Sequence, residues 1–149
     1  MISSQLPEGF SSWYSLNGAI KVAPQKSGTY VIRMSGGKCF GRLQGETDIV
    51  YIGSTERPLK RRFYEFLRPG PTQWTNQRIN QLSKKFSLEI AWSENDNPKI
   101  FEHNLLRQFL KEHDEFPPLN RADIRKLKIE LNENITVSDT VGIEVKRAH

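Results

Sequence analysis

The carboxylate of Glu102 stands where a carboxylate needs a reason. Leu105, Leu106 and Phe109 follow it at i+3, i+4 and i+7, so in a helix the four share one face. An ionised carboxylate on an apolar face is costly unless it is paired, hydrogen-bonded or bound to a metal ion. The plain alternative is a glutamate at the edge of the stripe that reaches solvent, in early turns where the helix dipole favours negative charge. Arg61 is the next such residue. Leu59, Phe63 and Phe66 form a stripe pointing one way, which leaves Arg61 and Glu65 together on another face. A guanidinium is a planar fork suited to phosphate oxygens, while an i, i+4 ion pair on a wet helix is its everyday use. Tyr30 and Tyr51 fall in two neighbouring apolar runs, where aromatic residues are favoured for packing alone. Taken singly, none of the four requires a chemical role.

The elements that must carry them are legible from pattern. Thr29 to Met34 and Asp48 to Thr55 are β-branched and apolar and read as strands. The glycine-containing segment Ser35 to Thr47 joins them as a long hairpin loop, so the two strands run antiparallel. Pro58 suits the first position of a helix. Leu59, Phe63, Phe66 and Leu67 give that helix its apolar stripe, and Arg68-Pro69-Gly70-Pro71 ends it. A second helix presents Thr75, Ile79, Leu82 and Phe86 on one face. Leu88, Ile90 and Trp92 alternate with their neighbours as a third strand. Asn97-Pro98 is an N-cap followed by a first-turn proline, opening a third helix that runs to about His113, before Pro117-Pro118. Leu127, Ile129 and Leu131, then Val141, Ile143 and Val145, alternate as two further strands. The order β-β-α-α-β-α predicts a small α+β domain. The expected organisation is one domain over 1–149: an N-terminal arm 1–27 anchored by Phe10, Trp13, Tyr14 and Leu16, a core 28–120, and a C-terminal extension 121–149.

Composition narrows the partners. Against 17 Asp+Glu the chain carries 22 Lys+Arg, a net charge of +5, which favours a polyanionic partner through counterion release. The single cysteine, Cys39, excludes an intramolecular disulfide and a cysteine-based zinc cluster, and suits a reducing cytoplasm. No signal-peptide pattern is visible in Met1 to Gly9, and no apolar run approaches the roughly 18 residues of a membrane span.

The order of short motifs adds what single residues do not. Gly28-Thr29-Tyr30, Tyr51-Ile52-Gly53-Ser54, Leu59-Lys60-Arg61, Phe101-Glu102-His103-Asn104-Leu105 and Pro118-Leu119-Asn120 succeed one another on the expected elements. This series resembles the GIY-YIG nuclease family, over roughly Gly28 to Asn120. The resemblance implies a three-stranded antiparallel sheet flanked by helices and a Mg²⁺-dependent endonuclease acting on DNA, with Mn²⁺ as a substitute, leaving 5′-phosphate and 3′-hydroxyl ends. It further implies Tyr30 at or near the general base, Tyr51 positioning the attacking water, Arg61 on the scissile phosphate, Glu102 holding the metal and Asn120 tying the chain end to the catalytic face. Lys38, Arg42, Lys60 and Arg62 are the basic side chains expected on DNA. Three departures stand out: Thr29 replaces the isoleucine of the first motif, Glu65 occupies the position one turn after Arg61, where many members carry His or Tyr, and the loop Ser35 to Thr47, with Lys38 and Arg42, is longer than in compact members. His103, Lys60 and Lys38 remain open as groups that assist the tyrosine. With no room for a separate targeting domain, the chain resembles compact restriction or phage-type endonucleases, and cutting both strands of a duplex calls for a homodimer or larger even oligomer. A nucleic-acid-binding module that has lost its chemistry is the competing reading.

Overall fold

The computed structural model describes residues 6–120; the two strands expected in the tail lie outside them. The sheet is built around β2 (Gly28–Met34), which pairs antiparallel with both β5 (Ile49–Thr55) and β6 (Leu88–Glu94). A central strand is covered on both faces, which is why Thr29 through Ile32 read as a nearly unbroken buried run rather than an alternation. One face packs on α1 (Leu16–Val22), α2 (Leu59–Leu67) and α3 (Trp74–Ser83), with Tyr30, Ile32, Ile90, Phe63, Phe66 and Ile79 in its core. The other face packs on α4 (Pro98–His113) through Val31, Ile49, Ile52, Leu105, Leu106 and Phe109.

Two features differ from the expectation. The sheet has four strands, in the order β1-β6-β2-β5, not three. The extra strand β1 (Tyr14–Ser15) lies in the segment expected to be an arm, pairing Tyr14 with Ile90 and Ser15 with Glu89. Two residues are too few to show a period of two. Ser15 then caps α1, its hydroxyl accepting the Gly18 N–H at 3.0 Å. The second difference is a bulge. Ile32 faces Tyr51 and Arg33 faces Ile49, so Val50 has no partner across the ladder. An inserted residue reverses the side-chain parity, and it lets both Val50 and Tyr51 pack toward the α2 face while Ile49 and Ile52 face α4.

Loop 35–47 is not a bare surface hairpin. It folds into a small ribbon, β3 (Phe40–Gly41) with β4 (Glu46–Thr47), and docks on the C-terminal end of α4. Gln44 N–H donates to the His113 carbonyl at 3.0 Å, and His113 Nδ1 lies 2.8 Å from the Gln44 carbonyl. The outer edge of β5 is also covered. Leu119 N–H donates to the Val50 carbonyl, and the Asn120 carboxamide bonds both backbone groups of Ile52, at 2.7 and 2.9 Å. These bonds occupy an edge that would otherwise offer free ladder groups.

Candidate active site

The register of β2 and β5 sets the two phenols. Tyr30 lies opposite Gly53 and Ile32 opposite Tyr51, so Tyr30 and Tyr51 are diagonal neighbours on one face, with ring centroids 6.1 Å apart. The Tyr30 ring passes over Gly53. A Cβ at position 53 would lie 2.7 Å from the Tyr30 hydroxyl oxygen and 2.6 Å from Tyr51 Cε2, so only glycine leaves room for both rings. Phe63 and Phe66 meet the buried Tyr30 ring edge-on, each at 5.6 Å.

The arginine that reaches this pair is Arg62. Its Nε donates to the Tyr30 hydroxyl oxygen at 2.9 Å, its Nη1 lies 3.5 Å from Glu65 Oε1, and its guanidinium stands 5.5 Å from the Phe66 ring centre. Arg57 Nη2 approaches the same Glu65 carboxylate at 3.1 Å. Arg61 is exposed on the solvent side of α2, and the structure does not bring it to the tyrosines. The helix phase explains the correction. Arg62 is i+3 from Leu59 and i−4 from Phe66, so it flanks the buried stripe, whereas Arg61 falls almost opposite. Counting residues from Tyr51 selects Arg61; the wheel of α2, available from the sequence, selects Arg62. Pro58 precedes the helix as its N-cap rather than opening it.

Glu102 approaches from the other face of the sheet. Ser54 lies opposite Thr29, whose hydroxyl bonds the Pro98 carbonyl at the start of α4. Ser54 Oγ in turn donates to Glu102 Oε1 at 2.7 Å. The half-buried Glu102 is therefore neither a wet edge residue nor an isolated buried charge; a hydroxyl fixes one of its oxygens. Its negative charge contributes to raising both phenols.

Electrostatics follow from this packing. Burial raises the Tyr30 phenol above its ordinary range, with Glu102 adding to the rise and Arg62 and Tyr51 opposing it. Burial also pushes Tyr51 well up, reinforced by Tyr30 and Glu102. For Arg62 burial disfavours the charge, but Tyr30, Tyr51 and Glu65 outweigh it and the guanidinium is held charged. At neutral pH the cluster is thus two neutral phenols around a fixed cation.

Other expected residues fall elsewhere. Arg42, expected on DNA, is tied down: its Nη1 donates to the Phe116 carbonyl at 2.9 Å and pairs with Glu115 at 3.1 Å. That site lies near His113, about 16 Å along α4 from Glu102 at 1.5 Å per residue. Lys38 is exposed and sits over the Phe86 ring at 4.9 Å. Lys60 is half-buried on α2. Of the groups left open as helpers of Tyr30, none takes the phenol oxygen, which Arg62 holds. The residue one turn after Arg62 is Phe66, so that position carries packing rather than a polar partner. Asn120 bonds the backbone next to Gly53 and faces no reacting group. Gln73, Asn76 and Gln77 spend their amides on one another and on Gly70. Ser54 and Gly53 are the positions that residue-type reasoning passed over.

The donor set limits what metal can fit. No group of three or more His, Cys, Asp or Glu able to hold an ion occurs among the described residues. A single carboxylate does not make a cage for Ca²⁺ or a zinc tetrahedron. It does suit Mg²⁺, which retains several waters and completes its shell with substrate oxygens, and Glu102 with one oxygen set by Ser54 fits that use.

No protein-family model matches the chain, and no curated protein matches it. Among solved structures it is similar to the GIY-YIG N-terminal endonuclease domain of UvrC from Thermotoga maritima. With the form bound to magnesium the identity is 24%, covering 71% of this chain and 96% of that one, at a TM-score of 0.44. A point-mutant form bound to its catalytic divalent cation is 25% identical, covering 71% and 94%, also at a TM-score of 0.44. No helix among the described residues is long and apolar enough to cross a membrane.

Proposed function

We propose that this chain is a nuclease of the GIY-YIG type, a Mg²⁺-dependent endonuclease that hydrolyses DNA phosphodiesters to 5′-phosphate and 3′-hydroxyl ends. The observation that carries the reading is the Arg62–Tyr30 bond beside Tyr51, closed over Gly53, with Glu102 bonded to the adjacent Ser54 on the opposite face. Tyr30, Tyr51 and Arg62 are brought together on one face of the sheet, and Ser54, next to Gly53 in the chain, bonds Glu102 on the other, which supports the reading.

In this reading Arg62 binds the scissile phosphate. Nε is committed to Tyr30, Nη1 faces Glu65 and Tyr51 interacts with the same guanidinium, and phosphate oxygens would meet its remaining donor capacity. Glu102, oriented by Ser54, holds the cation, with Mn²⁺ as a substitute; the bound metal supplies Lewis-acid stabilisation of the leaving oxygen. Tyr30 sits at or beside the general base and Tyr51 helps position the water. As the water oxygen bonds phosphorus, the P–O3′ bond breaks; one water proton passes to the base and the 3′-oxygen takes one up. Neutral Tyr30 is a weak base at pH 7. With Glu102 neutralised by a cation, one cause of the raised phenol pKa disappears while Arg62 continues to favour phenolate. Asn120 holds the β5 edge on which Tyr51, Gly53 and Ser54 stand. The expected setting is a cytoplasmic, restriction- or phage-type enzyme, dimeric where both strands are cut.

A second reading has a specific observation in its favour: Tyr30 is fully buried and held neutral by that burial, as a DNA-binding module without catalysis would tolerate. Incubating the purified chain with supercoiled plasmid, in Mg²⁺ and in EDTA, and mapping the ends separates the two. The expected result is metal-dependent cleavage with 5′-phosphate ends, lost in Glu102→Gln while DNA binding persists. Binding without cleavage at any Mg²⁺ or Mn²⁺ concentration favours the second reading, and cleavage by Glu102→Gln at the wild-type rate removes Glu102 from the site.

A further inference from the structure

The solvent face of α2 carries a pattern that the candidate site does not use. Arg57, Arg61, Tyr64 and Arg68 are all exposed and follow one another at intervals of four, three and four residues. From Arg61 through Tyr64 to Arg68 at the helix end, that is the spacing of one helical face. Arg57 stands just before α2 and Arg68 caps its end, and from Arg61 to Arg68 the row rises roughly 10 Å at 1.5 Å per residue. Glu65 flanks the row, i+4 from Arg61, and its carboxylate pairs with Arg57. Arg61 and Arg68 enter no ion pair among the described residues. Tyr64 leaves 51% of its surface in solvent between them. A wet helix face explains the arginines, but not a large exposed aromatic set among three of them. The row also begins at the candidate site: Arg57 shares the Glu65 carboxylate with Arg62, and Arg62 holds Tyr30.

We propose that this row binds one DNA strand as it leaves the site, with the arginines on phosphates and the Tyr64 ring stacked on an unpaired base. The inference rests on the nuclease reading above and gives it a substrate class: DNA with a single-stranded segment adjoining the cut. Cations tracking a backbone and an aromatic face for unpaired bases are the two ingredients of single-strand binding. A base inside an intact duplex offers Tyr64 no free face. The helical part of the row matches about three nucleotides at a stacked rise of roughly 3.4 Å each.

The test is binding, read without cleavage. Full-length protein in EDTA is titrated into fluorescent DNA of three kinds: a blunt duplex, the same duplex with a single-stranded flap, and the single strand alone. Wild type is expected to prefer the flap and the single strand. Tyr64→Ala should weaken both by about tenfold, the loss of one base–aromatic stack, and leave the blunt duplex unchanged. Tyr64→Phe, which keeps the ring, should restore binding. Arg61→Gln and Arg68→Gln should weaken all three substrates, each lowering the salt slope by somewhat under one. Flap binding by Tyr64→Ala equal to wild type, or an equal loss on the blunt duplex, overturns the proposal even if the plasmid is cleaved. The expected binding pattern without any cleavage overturns the nuclease reading and leaves the row standing.

Discussion

Replacing Arg62 tests the site most directly, because its neighbour Arg61 is a built-in control on the same helix. In Arg62→Ala the Tyr30 hydroxyl loses the Nε donor at 2.9 Å. A buried polar group deprived of its partner costs about 1–3 kcal/mol, toward the low end here because Tyr51 also interacts with that oxygen. The ion pair with Glu65 is long, at 3.5 Å, and adds at most about 1 kcal/mol. Both figures fall below the roughly 5–15 kcal/mol of a typical domain, so the variant should fold. Cleavage should fall much further than stability, by about 10²–10³-fold, as expected on losing one preorganised donor to a transition state. Arg62→Lys keeps the charge but cannot bond Tyr30 and present a fork at once, so it should recover only part of that loss. Arg61→Ala should stay within a few-fold of wild type. Single-turnover nicking of supercoiled plasmid at saturating protein removes differences in affinity, and thermal melts check folding. An Arg61→Ala loss equal to that of Arg62→Ala, or near-normal cleavage by Arg62→Ala, refutes the assignment.

Three further expectations concern the supports of the site. Gly53→Ala forces a methyl to within 2.7 Å of the Tyr30 oxygen, so it should destabilise by about 1–3 kcal/mol through overpacking and lower cleavage by parting Tyr30 from Arg62; an unchanged melt and rate would contradict the geometry. Asn120→Ala removes two bonds to Ile52 and should cost about 1–2 kcal/mol, with faster hydrogen exchange at the Ile52 amide than in wild type. Burial raises the Tyr30 and Tyr51 phenols above the unfolded value of about 10, so both states are neutral below pH 10 and only the unfolded chain ionises above it. Stability should therefore decline as pH rises past about 10, with less decline in a Tyr30→Phe, Tyr51→Phe double variant; equal alkaline melts would show that these phenols titrate normally.

The parts of this protein that could be read from sequence are those where one signal dominates. β2, β5 and β6 are long β-branched or alternating runs. α2 and α4 carry clear stripes, and the end of α4 at His113 follows from the prolines beyond it. β1 and α1 escaped because a two-residue edge strand has no period and a seven-residue helix holds few apolar positions. The fate of Arg42 was hidden for another reason. Its partners Glu115 and Phe116 are more than seventy residues away, and charge alone does not say whether an arginine faces DNA or its own chain. Arg62 is the instructive case: the motif order points to Arg61, while the helical phase of α2 places Arg62 beside the buried stripe.

Glycine at position 53 links these observations into one design. Strand β5 is the outermost strand on its side of the sheet, so a side chain on either face can reach around it only where the edge is thin. Gly53 is that thin place, with Tyr30 laid across it from the α2 face and Ser54, immediately next in the chain, holding Glu102 on the α4 face. The sheet thereby keeps the cation of Arg62 and the anion of Glu102 on opposite sides, close enough for Glu102 to act on both phenols but without a salt bridge between the two charges. In the proposed site neither charge is spent on the other, although Arg62 already shares the Glu65 carboxylate. Glu65 and Arg57 make the arrangement durable by holding Arg62 from behind, and Asn120 does so by fixing the strand on which the thin place depends. Charges kept apart by backbone, rather than by solvent, remain available to substrate without a rearrangement of the fold.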